Sequence, residues 1–281
     1  MAWDGEGRLG RLGRRVASIP ARVLREPILL LEVWRKTKAR VVDRGHRRRL
    51  GDYETMATSP ASAVAALLDV EETTVEDVMG SPACLELITR LERYRPPRHT
   101  LPMGGPAFLE LIYALVRLLR PPLVVETGVA HGYGSAMVLQ ALADSGRGHL
   151  YSVDLPAFRP DVEPHTGGAV AWAGVPVADW SLLSGPDRRL LPRLLEGVGP
   201  VSLCIYDSDK SYEGMSRSLA IMWRSLTPGG VIAVDDVESH DAFLDFVGAR
   251  DARWSVIPKP VRGPLYSRPA FVGLARREGR P

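Results

Sequence analysis

The sequence predicts an α/β protein built on a doubly wound, mainly parallel sheet. Three observations lead to this fold class. Strand-like and helix-like patterns alternate from residue 123 to residue 249, as is typical of consecutive βαβ units. The first strand runs into a glycine-rich turn that opens a helix. The last two strands have no helix between them, which predicts a hairpin that closes the sheet.

Residues 1–50 are predicted to form a basic arm, because they hold fourteen Lys and Arg residues against five Asp and Glu residues. Such positive charge can attract nucleic acid or an anionic membrane surface. The arm lacks the interleaved aromatic residues of a base-stacking platform, so nucleic acid is not the expected partner. The preferred interpretation is a partly helical arm that packs on the rest of the chain, or on a second subunit in a homo-oligomer.

Residues 51–103 are predicted to form a helical extension. Ser59-Pro60 and Thr73-Thr74-Val75-Glu76 have the composition of helix starts, and Arg95-Pro96-Pro97 ends the segment. Residues 104–281 are assigned to the α/β domain.

The α/β domain opens with a helix at 106–120, where apolar residues recur at helical spacing before two prolines stop it. The elements that follow are predicted at 123–127, 134–145, 149–154, 180–183, 187–196, 201–206, 212–226, 230–235 and 240–249. The strands of the closing hairpin are predicted at 254–257 and 270–274.

Composition argues against several classes of protein. The apolar cluster near Ile28 is broken by Glu32 and is far shorter than the roughly 20 residues of a membrane-spanning helix. The first thirty residues repeat arginine without the apolar core of a signal peptide. Only two cysteines are present, and Cys204 falls in a predicted core strand, so no disulfide framework is expected. We therefore expect a cytoplasmic protein without a membrane span.

The run from Val124 to Ser135 predicts a nucleotide-binding turn. Its glycines allow close approach of the backbone to a ligand, and the following helix start presents free N–H groups. The spacing is not the G-x-G-x-x-G of dinucleotide enzymes. The next strand ends in Asp154, whose carboxylate can accept the hydroxyl groups of a ribose. The alternative is a generic α/β turn with a solvated acid at a strand end.

A second group of acids follows two later strands. Asp207 comes directly after the strand at 201–206, and Asp235 and Asp236 end the strand at 230–235. The carboxyl ends of parallel strands share one edge of the sheet, where ligands bind. Converging carboxylates repel one another unless a cation or a base joins them. A hard divalent cation with oxygen ligands is the simplest solution.

These motifs carry a resemblance to a known family. The E-x-G-x-x-x-G turn at Glu126, followed by Asp154, resembles the class I S-adenosylmethionine-dependent methyltransferases. The stretches D-x-D-K-x-Y at 207–212 and L-x-P-G-G-V-I-x-x-D-D at 226–236 are similar to metal-dependent O-methyltransferases of the catechol and caffeoyl-CoA type, and to bacterial relatives acting on antibiotics and sugars. The resemblance spans residues 104–246. It implies a seven-stranded sheet with an antiparallel C-terminal strand.

The resemblance also implies roles for the acidic residues and for one lysine. Asp207, Asp235 and Asp236 would hold Mg²⁺ or a similar ion, and Lys210 corresponds to the lysine beside the hydroxyl that is methylated. Arginine dominates the basic residues of this chain, so a lysine in the motif is notable. Unlike guanidinium, an ammonium group can act as a base when its pKa is lowered. The alternatives are that Lys210 only neutralises nearby aspartates, and that Asp235 and Asp236 only cap a helix or end a strand.

For the cofactor, the resemblance places Glu126 and Gly128 near the methionine end of S-adenosylmethionine, Asp154 at the ribose and Asp187 at the adenine. Other residues of the same turn and helix start are assigned to the cofactor with them: Ala130, Gly132 and Ser135. The competing interpretation of Asp187 is that it simply starts the helix at 187–196.

The chain departs from the family pattern in two places. Bacterial relatives often have histidine at position 210, which leaves the identity of the base open. Relatives commonly have serine at position 134 and asparagine at position 240, where this chain has Gly134 and His240. We treat His240 as a candidate second base, with a helix cap as the alternative.

The connection from Leu155 to Asp179 is long and is predicted to cover the acceptor. Two further segments could frame the pocket: Gly104-Gly105 and Arg262 to Arg268.

The leading hypothesis is a methyltransferase that uses S-adenosylmethionine and a divalent cation to methylate a hydroxyl group of a small molecule, such as a natural product or a sugar. One alternative is a metal-independent O- or N-methyltransferase with Lys210 or His240 as base. The other is a non-catalytic cofactor-binding protein whose arm engages nucleic acid or a partner. A dinucleotide oxidoreductase fits the glycine spacing poorly.

Overall fold

The computed structural model describes residues 30–32, 34–35, 38–39, 43, 50–96, 108–156, 165–260 and 269–279. Most of the predicted arm lies outside these residues. So do Gly104-Gly105, the segment from Arg262 to Arg268, and residues 157–164 of the long connection.

Helices and strands alternate along the α/β domain after a series of short helices. The helices are α1 (Leu50–Met56), α2 (Pro60–Leu68), α3 (Glu72–Met79), α4 (Pro82–Glu92), α5 (Leu109–Leu119), α6 (Tyr133–Ser145), α7 (Gly168–Ala173), α8 (Asp187–Val198), α9 (Tyr212–Ser225) and α10 (Ala242–Gly248). The strands are β1 (Leu123–Thr127), β2 (His149–Asp154), β3 (Trp180–Ser184), β4 (Val201–Tyr206), β5 (Leu226–Asp235), β6 (Ala252–Pro258) and β7 (Phe271–Arg277).

The seven strands form one sheet in the order β3-β2-β1-β4-β5-β7-β6. Strands β1 to β5 pair in parallel, whereas β7 is antiparallel to both of its neighbours, β5 and β6. The predicted fold class is therefore confirmed, including the seven strands and the closing hairpin. Because β7 inserts between β5 and β6, the carboxyl end of β6 reaches the same edge of the sheet as the parallel strands.

The helices before the sheet follow local capping rules. The Ser59 side chain accepts a hydrogen bond from the backbone N–H of Ser62, and Pro60 occupies the first turn, so α2 starts as predicted. Helix α3 begins at Glu72, slightly before the predicted Thr73 start. Its Glu72 carboxylate accepts a hydrogen bond from the Ser62 hydroxyl (2.6 Å), which joins α2 to α3.

The apolar core lies in two layers, one on each face of the sheet. One layer contains buried residues of α2 to α7, and the other contains buried residues of α8, α9 and α10 together with Tyr53 of α1. Neighbouring residues of a strand serve opposite layers, as Val124 and Val125 of β1 show. Strands covered on both faces are buried along nearly their whole length, which explains their continuous apolar sequence.

The register of the central strands brings the predicted site residues to one place. Thr127, the last residue of β1, pairs with Tyr206 of β4, which pairs in turn with Val234 of β5. Gly128, Asp207 and Asp235 therefore leave the sheet side by side. The backbone N–H of Asp207 donates to the Thr127 carbonyl (2.8 Å), which holds the first of these junctions together.

Across the part of the chain that the structure describes, no helix combines the length and the apolar character needed to cross a membrane.

Candidate active site

The turn between β1 and α6 is built around glycines that other residues could not replace. Gly128 has a φ of +86°, and a Cβ added there would lie 2.0 Å from the carbonyl oxygen of Asp207. Gly132 has a φ of +84°, and a Cβ there would lie 2.7 Å from the Cα of Gly167. The turn is therefore packed between the end of β4 and the segment that precedes α7. Glycine serves here both for its conformation and for the absence of a side chain.

Glu126 is a buried carboxylate at the end of β1. Its Oε2 atom accepts hydrogen bonds from the hydroxyl groups of Ser135 (2.6 Å) and Ser152 (2.7 Å). The indole N–H of Trp180 donates to the Ser152 oxygen (3.0 Å), which extends the network to β3. Burial raises the pKa of Glu126 to about 7, although the two serine hydroxyls act in the opposite direction.

Asp154 joins the end of β2 to the same turn. Its Oδ2 atom accepts a hydrogen bond from the backbone N–H of Ala130 (3.0 Å), and its Oδ1 atom accepts one from Leu155 (3.0 Å). Ala130 adopts a left-handed conformation with a φ of +46°, which is rare for a residue with a side chain. The carboxylate thus stabilises a strained turn next to the position that the sequence predicts for a ribose.

Asp187 lies in the first turn of α8, and its side chain faces the protein. It accepts hydrogen bonds from the hydroxyl group of Ser208 (2.7 Å) and from the backbone N–H of Arg188 (2.6 Å). A guanidinium nitrogen of Arg217 lies 3.9 Å from it. These contacts tie α8 to α9 and to the loop after β4. The predicted role at the adenine stays a prediction.

Asp207, Asp235 and Asp236 come together at the edge of the sheet. Each offers one carboxylate oxygen, and these three oxygens lie within 4.8 Å of one another. Asp207 follows β4, whereas Asp235 and Asp236 follow from β5, so two parallel strands supply the cluster. Asp236 has a φ of +56°, a left-handed conformation that aspartate tolerates better than most residues.

Two lysines share these carboxylates. The Nζ atom of Lys210 lies 2.6 Å from Asp207 and 3.3 Å from both Asp235 and Asp236. Lys259, which follows β6, forms ion pairs with Asp235 and Asp236 and is almost completely buried. The formal charges of three carboxylates and two ammonium groups sum to one negative charge. Burial raises the pKa of Asp207 to about 8, against the effect of the Lys210 ammonium group, so Asp207 is the member of the cluster that takes up a proton most readily.

The charges of the cluster shift the pKa values of its members. Burial alone would raise the pKa of Asp236, but the ammonium groups of Lys210 and Lys259 outweigh it and lower this pKa to about 2. Burial alone would lower the pKa of Lys259, but Asp235 and Asp236 outweigh it and raise this pKa. The pKa of Lys210 is raised for the same reason, against its burial, chiefly by Asp207. The shift of Lys210 is therefore opposite to the lowered pKa that a role as general base would require.

His240 is not part of the group of three carboxylates. Its ring is buried against Tyr212, with ring centroids 5.6 Å apart, and its Nδ1 atom accepts a hydrogen bond from the backbone N–H of Ala242 (3.4 Å). Burial lowers its pKa. Ala242 is the first residue of α10, so this bond lies at the helix start, although Asp241 and not His240 is the N-cap residue. The role of His240 as a second base stays a prediction.

A cavity opens beside the glycine-rich turn, between α5 and the ends of β1, β4 and β5. Five of the predicted site residues line it: Glu126, Gly128, Ala130, Asp207 and Asp235. The other predicted site residues do not line it: Gly132, Ser135, Asp154, Asp187, Lys210, Asp236 and His240.

The remaining wall of the cavity is largely apolar or aromatic. Phe108 precedes α5 with a φ of +59°, and its ring centroid lies 5.2 Å from the Lys259 ammonium group. His131 and Tyr133 of the glycine-rich turn also line the cavity, with Ile112 of α5 and Ile205 of β4. Such walls suit a small organic ligand that is oriented by a few polar groups.

The long connection before β3 contains α7. This helix packs against α4 and α6, and the indole N–H of Trp172 donates to the Arg90 carbonyl (3.3 Å). None of the described residues of this connection lines the cavity. Its predicted role as a cover for the acceptor would have to rest on residues 157–164, which lie outside the described residues.

Lys259 and Phe108 are the site residues that sequence reasoning missed. Lys259 is separated from the aspartates by α10 and β6, and no motif surrounds it. The sequence does contain one indication that Lys259 is special. Lysine occurs at only four positions, 36, 38, 210 and 259, in a chain whose other Lys/Arg positions are all arginine. Phe108 carried no signal beyond its place in the apolar pattern of α5.

Residues 125–237 match a family model described as a methyltransferase domain. No curated protein matches the chain in sequence. The same overall structure occurs in a putative O-methyltransferase from Klebsiella pneumoniae, which is 19% identical with a TM-score of 0.51 over 74% of this chain and 95% of that one.

Two further solved structures are similar to the chain. The O-methyltransferase TomG from Streptomyces achromogenes, involved in tomaymycin synthesis, is 19% identical with a TM-score of 0.52, over 71% of this chain and 91% of that one. Cofactor-bound Rv0187 from MTB is 18% identical with a TM-score of 0.52, over 74% of this chain and 96% of that one.

The strand order, the antiparallel β7 and the matched domain agree with one another. The domain match contains the glycine-rich turn, Asp207, Asp235 and Asp236, so the family signal and the geometric cluster fall on the same residues. The chain therefore has the fold of the class I methyltransferases, and its residues 125–237 match a methyltransferase domain.

Proposed function

We propose that the protein transfers the methyl group of S-adenosylmethionine to a hydroxyl oxygen of a small molecule, with the help of a divalent cation. One observation carries the proposal: three carboxylates from two strand ends converge within 4.8 Å beside the glycine-rich turn. Methyl transfer to oxygen requires a nucleophilic oxygen aligned with the methyl group, and a cation at this position would serve that requirement.

S-adenosylmethionine as the donor is supported by the turn and by the similar structures. Glu126, Gly128 and Ala130 line the cavity, and the start of α6 presents its first N–H groups next to them. TomG was solved in complex with S-adenosylmethionine, and Rv0187 with its cofactor. Two buried or part-buried acids, Glu126 and Asp154, flank the turn and suit the amino and hydroxyl groups of such a cofactor.

The residues present fit a hard divalent cation. The carboxylate oxygens of Asp207, Asp235 and Asp236 are the ligand type that Mg²⁺ prefers, and three of them lie close enough together to share one ion. A cation placed on these oxygens would shift Lys210 and Lys259 from their present contacts. When bound, the cation would supply Lewis acidity to an acceptor hydroxyl group.

The protein's own residues would carry out the remaining tasks. Asp207 and Lys210, on one loop, place a carboxylate and an ammonium group next to each other at the cavity edge. The apolar walls formed by Phe108, Ile112 and Ile205 would exclude water from the reacting groups. The new oxygen–carbon bond forms as the carbon–sulfur bond breaks, the electron pair of the broken bond stays on sulfur, the acceptor's proton passes to solvent, and neutral S-adenosylhomocysteine leaves.

The test separates cofactor binding from turnover. Asp236→Ala should abolish methyl transfer to hydroxyl acceptors, while calorimetric binding of S-adenosylhomocysteine stays within about threefold of wild type. Chelation of divalent ions should have the same effect on the wild-type enzyme, and Mg²⁺ should reverse it. Asp77→Ala on the exposed face of α3 is the control, with activity unchanged. Equal turnover in chelator and in Mg²⁺ would reject the role of the cation.

A metal-independent methyltransferase is the second candidate, and a specific observation favours it. Lys210 and Lys259 already pair with all three carboxylates, so the cluster can be neutralised largely from within. In that case Lys210 would orient the acceptor without a cation. Full activity of a metal-free preparation, together with loss of activity in Lys210→Met, would support this candidate over the first.

A further inference from the structure

The described residues of the N-terminal arm contact the loop between β4 and α9. A guanidinium nitrogen of Arg35 lies 3.6 Å from Asp209, and another donates to both carboxylate oxygens of Glu32 (3.0 Å each). The side chains of Arg35 and Asp209 are only 13% and 7% exposed. This is a largely buried ion pair between two segments that are far apart in sequence.

A second contact lies three residues further along the loop. Asp43 of the arm accepts a hydrogen bond from the backbone N–H of Tyr212 (3.3 Å), the first residue of α9. The arm therefore holds residues 209 and 212, and Lys210 and Ser211 lie between these two attachment points. A carboxylate at the first turn of a helix also interacts favourably with its free N–H groups.

Asp209 is not part of the carboxylate cluster, and it is held by contacts on several sides. Its Oδ1 atom accepts a hydrogen bond from the Ser211 backbone (3.1 Å), and its carbonyl oxygen accepts one from the Tyr206 hydroxyl group (2.6 Å). A Cβ at Gly214 would lie 2.3 Å from the Asp209 carboxylate, so α9 packs directly against it. A buried carboxylate in this position is costly without a cation, and Arg35 supplies one.

We propose that Arg35 is a positioning residue: through Asp209, and with Asp43 at Tyr212, it holds the loop that carries Asp207 and Lys210 in the conformation that builds the candidate site. The basic arm thereby belongs to the catalytic unit. The consequence for turnover rests on the proposed function, whereas the consequence for the loop does not.

Hydrogen exchange of the amides of residues 207–215 tests the proposal directly. Arg35→Met leaves the Asp209 charge buried without its guanidinium partner, so these amides should exchange about tenfold faster than in wild type, with the central strands unchanged. The double variant Arg35→Met/Asp209→Asn removes the unpaired charge and should restore most of the protection. Lys38→Met, which alters an exposed lysine of the same arm, is the matched control and should exchange as wild type.

Wild-type exchange of residues 207–215 in Arg35→Met would overturn the proposal. If Arg35→Met unfolds the whole sheet, Arg35→Lys is the variant to use. A lysine keeps the charge but lacks the two guanidinium nitrogens that contact Glu32 and Asp209 separately. Wild-type exchange of the loop in that variant would equally overturn the proposal.

Kinetics distinguish positioning from general destabilisation. In Arg35→Met, kcat should fall about tenfold or more with the KM for S-adenosylmethionine unchanged, and Asp209→Asn should recover part of kcat in that background. A parallel loss of cofactor affinity would contradict positioning of this loop alone. Absence of methyl transfer by the wild-type protein would defeat the proposed function, while the exchange experiment would still decide the role of Arg35.

Discussion

Glu126 shows at the scale of one residue how burial sets a pH dependence. Its carboxyl group has a pKa of about 7 in the folded protein against an ordinary 4.5, because burial disfavours its charged form. The folded state therefore binds a proton more tightly than the unfolded state does. The stability that this group contributes is fully present below pH 4.5 and is lost as the pH rises towards 7.

Glu126→Gln should remove this dependence of folding stability on pH. The amide oxygen can still accept from Ser135 and Ser152, so the network survives while the titration disappears. Between pH 4.5 and pH 7, the wild type should lose on the order of 3 kcal/mol relative to the variant. Urea denaturation at a series of pH values measures the difference. Glu86→Gln, at an exposed position of α4, should show the same change of unfolding free energy with pH as the wild type. Parallel curves for Glu126→Gln and wild type would refute the assignment.

Lys259 pairs with Asp235 and Asp236, two of the carboxylates that we propose as cation ligands. Its ammonium group occupies oxygens that a divalent ion would use. Lys259→Met should therefore bind Mn²⁺ about tenfold more tightly, which corresponds to about 1.4 kcal/mol of removed like-charge repulsion and competition. The same variant should be less stable than wild type in chelator, since two carboxylates lose a partner.

Calorimetric titration with Mn²⁺ and thermal unfolding with and without chelator check both effects of Lys259→Met. Lys38→Met changes an exposed lysine far along the chain and should alter neither result. Unchanged or weaker Mn²⁺ binding in Lys259→Met would show that this lysine does not compete for the site.

The same residues show where sequence reasoning reached its limit. Asp207, Asp235 and Asp236 could be brought together from sequence alone because strand polarity fixes where a strand end lies. The contact of Lys259 could not, since it depends on β7 inserting between β5 and β6. Likewise, the inward orientation of Asp187 is set by Ser208 and Arg217, and nothing in the local sequence indicates those contacts.

At the scale of elements, the turn between β1 and α6 has no room for a side chain at Gly128. Gly128→Ala should combine two penalties, a left-handed backbone and a Cβ placed 2.0 Å from the Asp207 carbonyl. The first costs about 1–2 kcal/mol, and relief of the overlap adds about 1–3 kcal/mol. Because Asp207 must move, cation binding should weaken together with stability.

Gly146→Ala provides a matched control for the strain in this turn. Gly146 follows α6 with a φ of +68°, and a Cβ there would meet no atom within 4 Å. Its substitution should therefore show the backbone penalty alone and leave Mn²⁺ binding unchanged. Chemical denaturation of the two variants measures the difference. Equal losses of unfolding free energy in the two variants would mean that the close approach of Gly128 to Asp207 adds no cost to the substitution.

The elements themselves were mostly predictable, because periodicity and capping are local properties. The parallel strands and the C-terminal hairpin follow from apolar runs and from the absence of an intervening helix. Helix α7 was missed inside the long connection, since its Gly168–Ala173 segment has only six residues, four of them Gly or Ala. Contacts with α4 and α6 stabilise it, and such contacts are invisible in a local pattern.

At the scale of the whole molecule, the helices before the sheet share its core. Ala57 of the segment after α1 forms a parallel bridge with Val256 of β6, and the Thr58 N–H donates to the Val256 carbonyl (3.0 Å). This contact covers part of the edge strand, which would otherwise present free backbone groups. The extension thus completes the sheet at the side nearest Lys259.

Tyr53 connects this extension to the candidate site. Its side chain is fully buried and stacks on Phe271, with ring centroids 5.7 Å apart. Its hydroxyl group donates to the carbonyl oxygens of Val237 (2.9 Å) and His240 (3.3 Å). Val237 directly follows Asp236, so the hydrogen bond from Tyr53 fixes the backbone next to one carboxylate of the cluster.

Tyr53→Phe should keep the stacking and remove the donor. We expect a loss of about 1–3 kcal/mol in the free energy of unfolding, because two buried carbonyls lose a partner. Mn²⁺ binding should also weaken, since the turn after Asp236, which has a left-handed conformation, loses its hydrogen bonds to Tyr53. Tyr113→Phe is the control: it breaks a buried tyrosine's bond to Asp144 (2.5 Å) at the contact between α5 and α6, away from the carboxylates.

Denaturation and Mn²⁺ calorimetry on the two tyrosine variants separate general stability from support of the site. Both variants should be less stable than wild type, but only Tyr53→Phe should bind Mn²⁺ more weakly. If both variants bind the ion as wild type does, the extension stabilises the fold without reaching the carboxylates. A loss of Mn²⁺ binding in Tyr113→Phe as well would mean that Mn²⁺ affinity follows overall stability. Tyr53 of α1 would then have no specific effect on the carboxylate cluster.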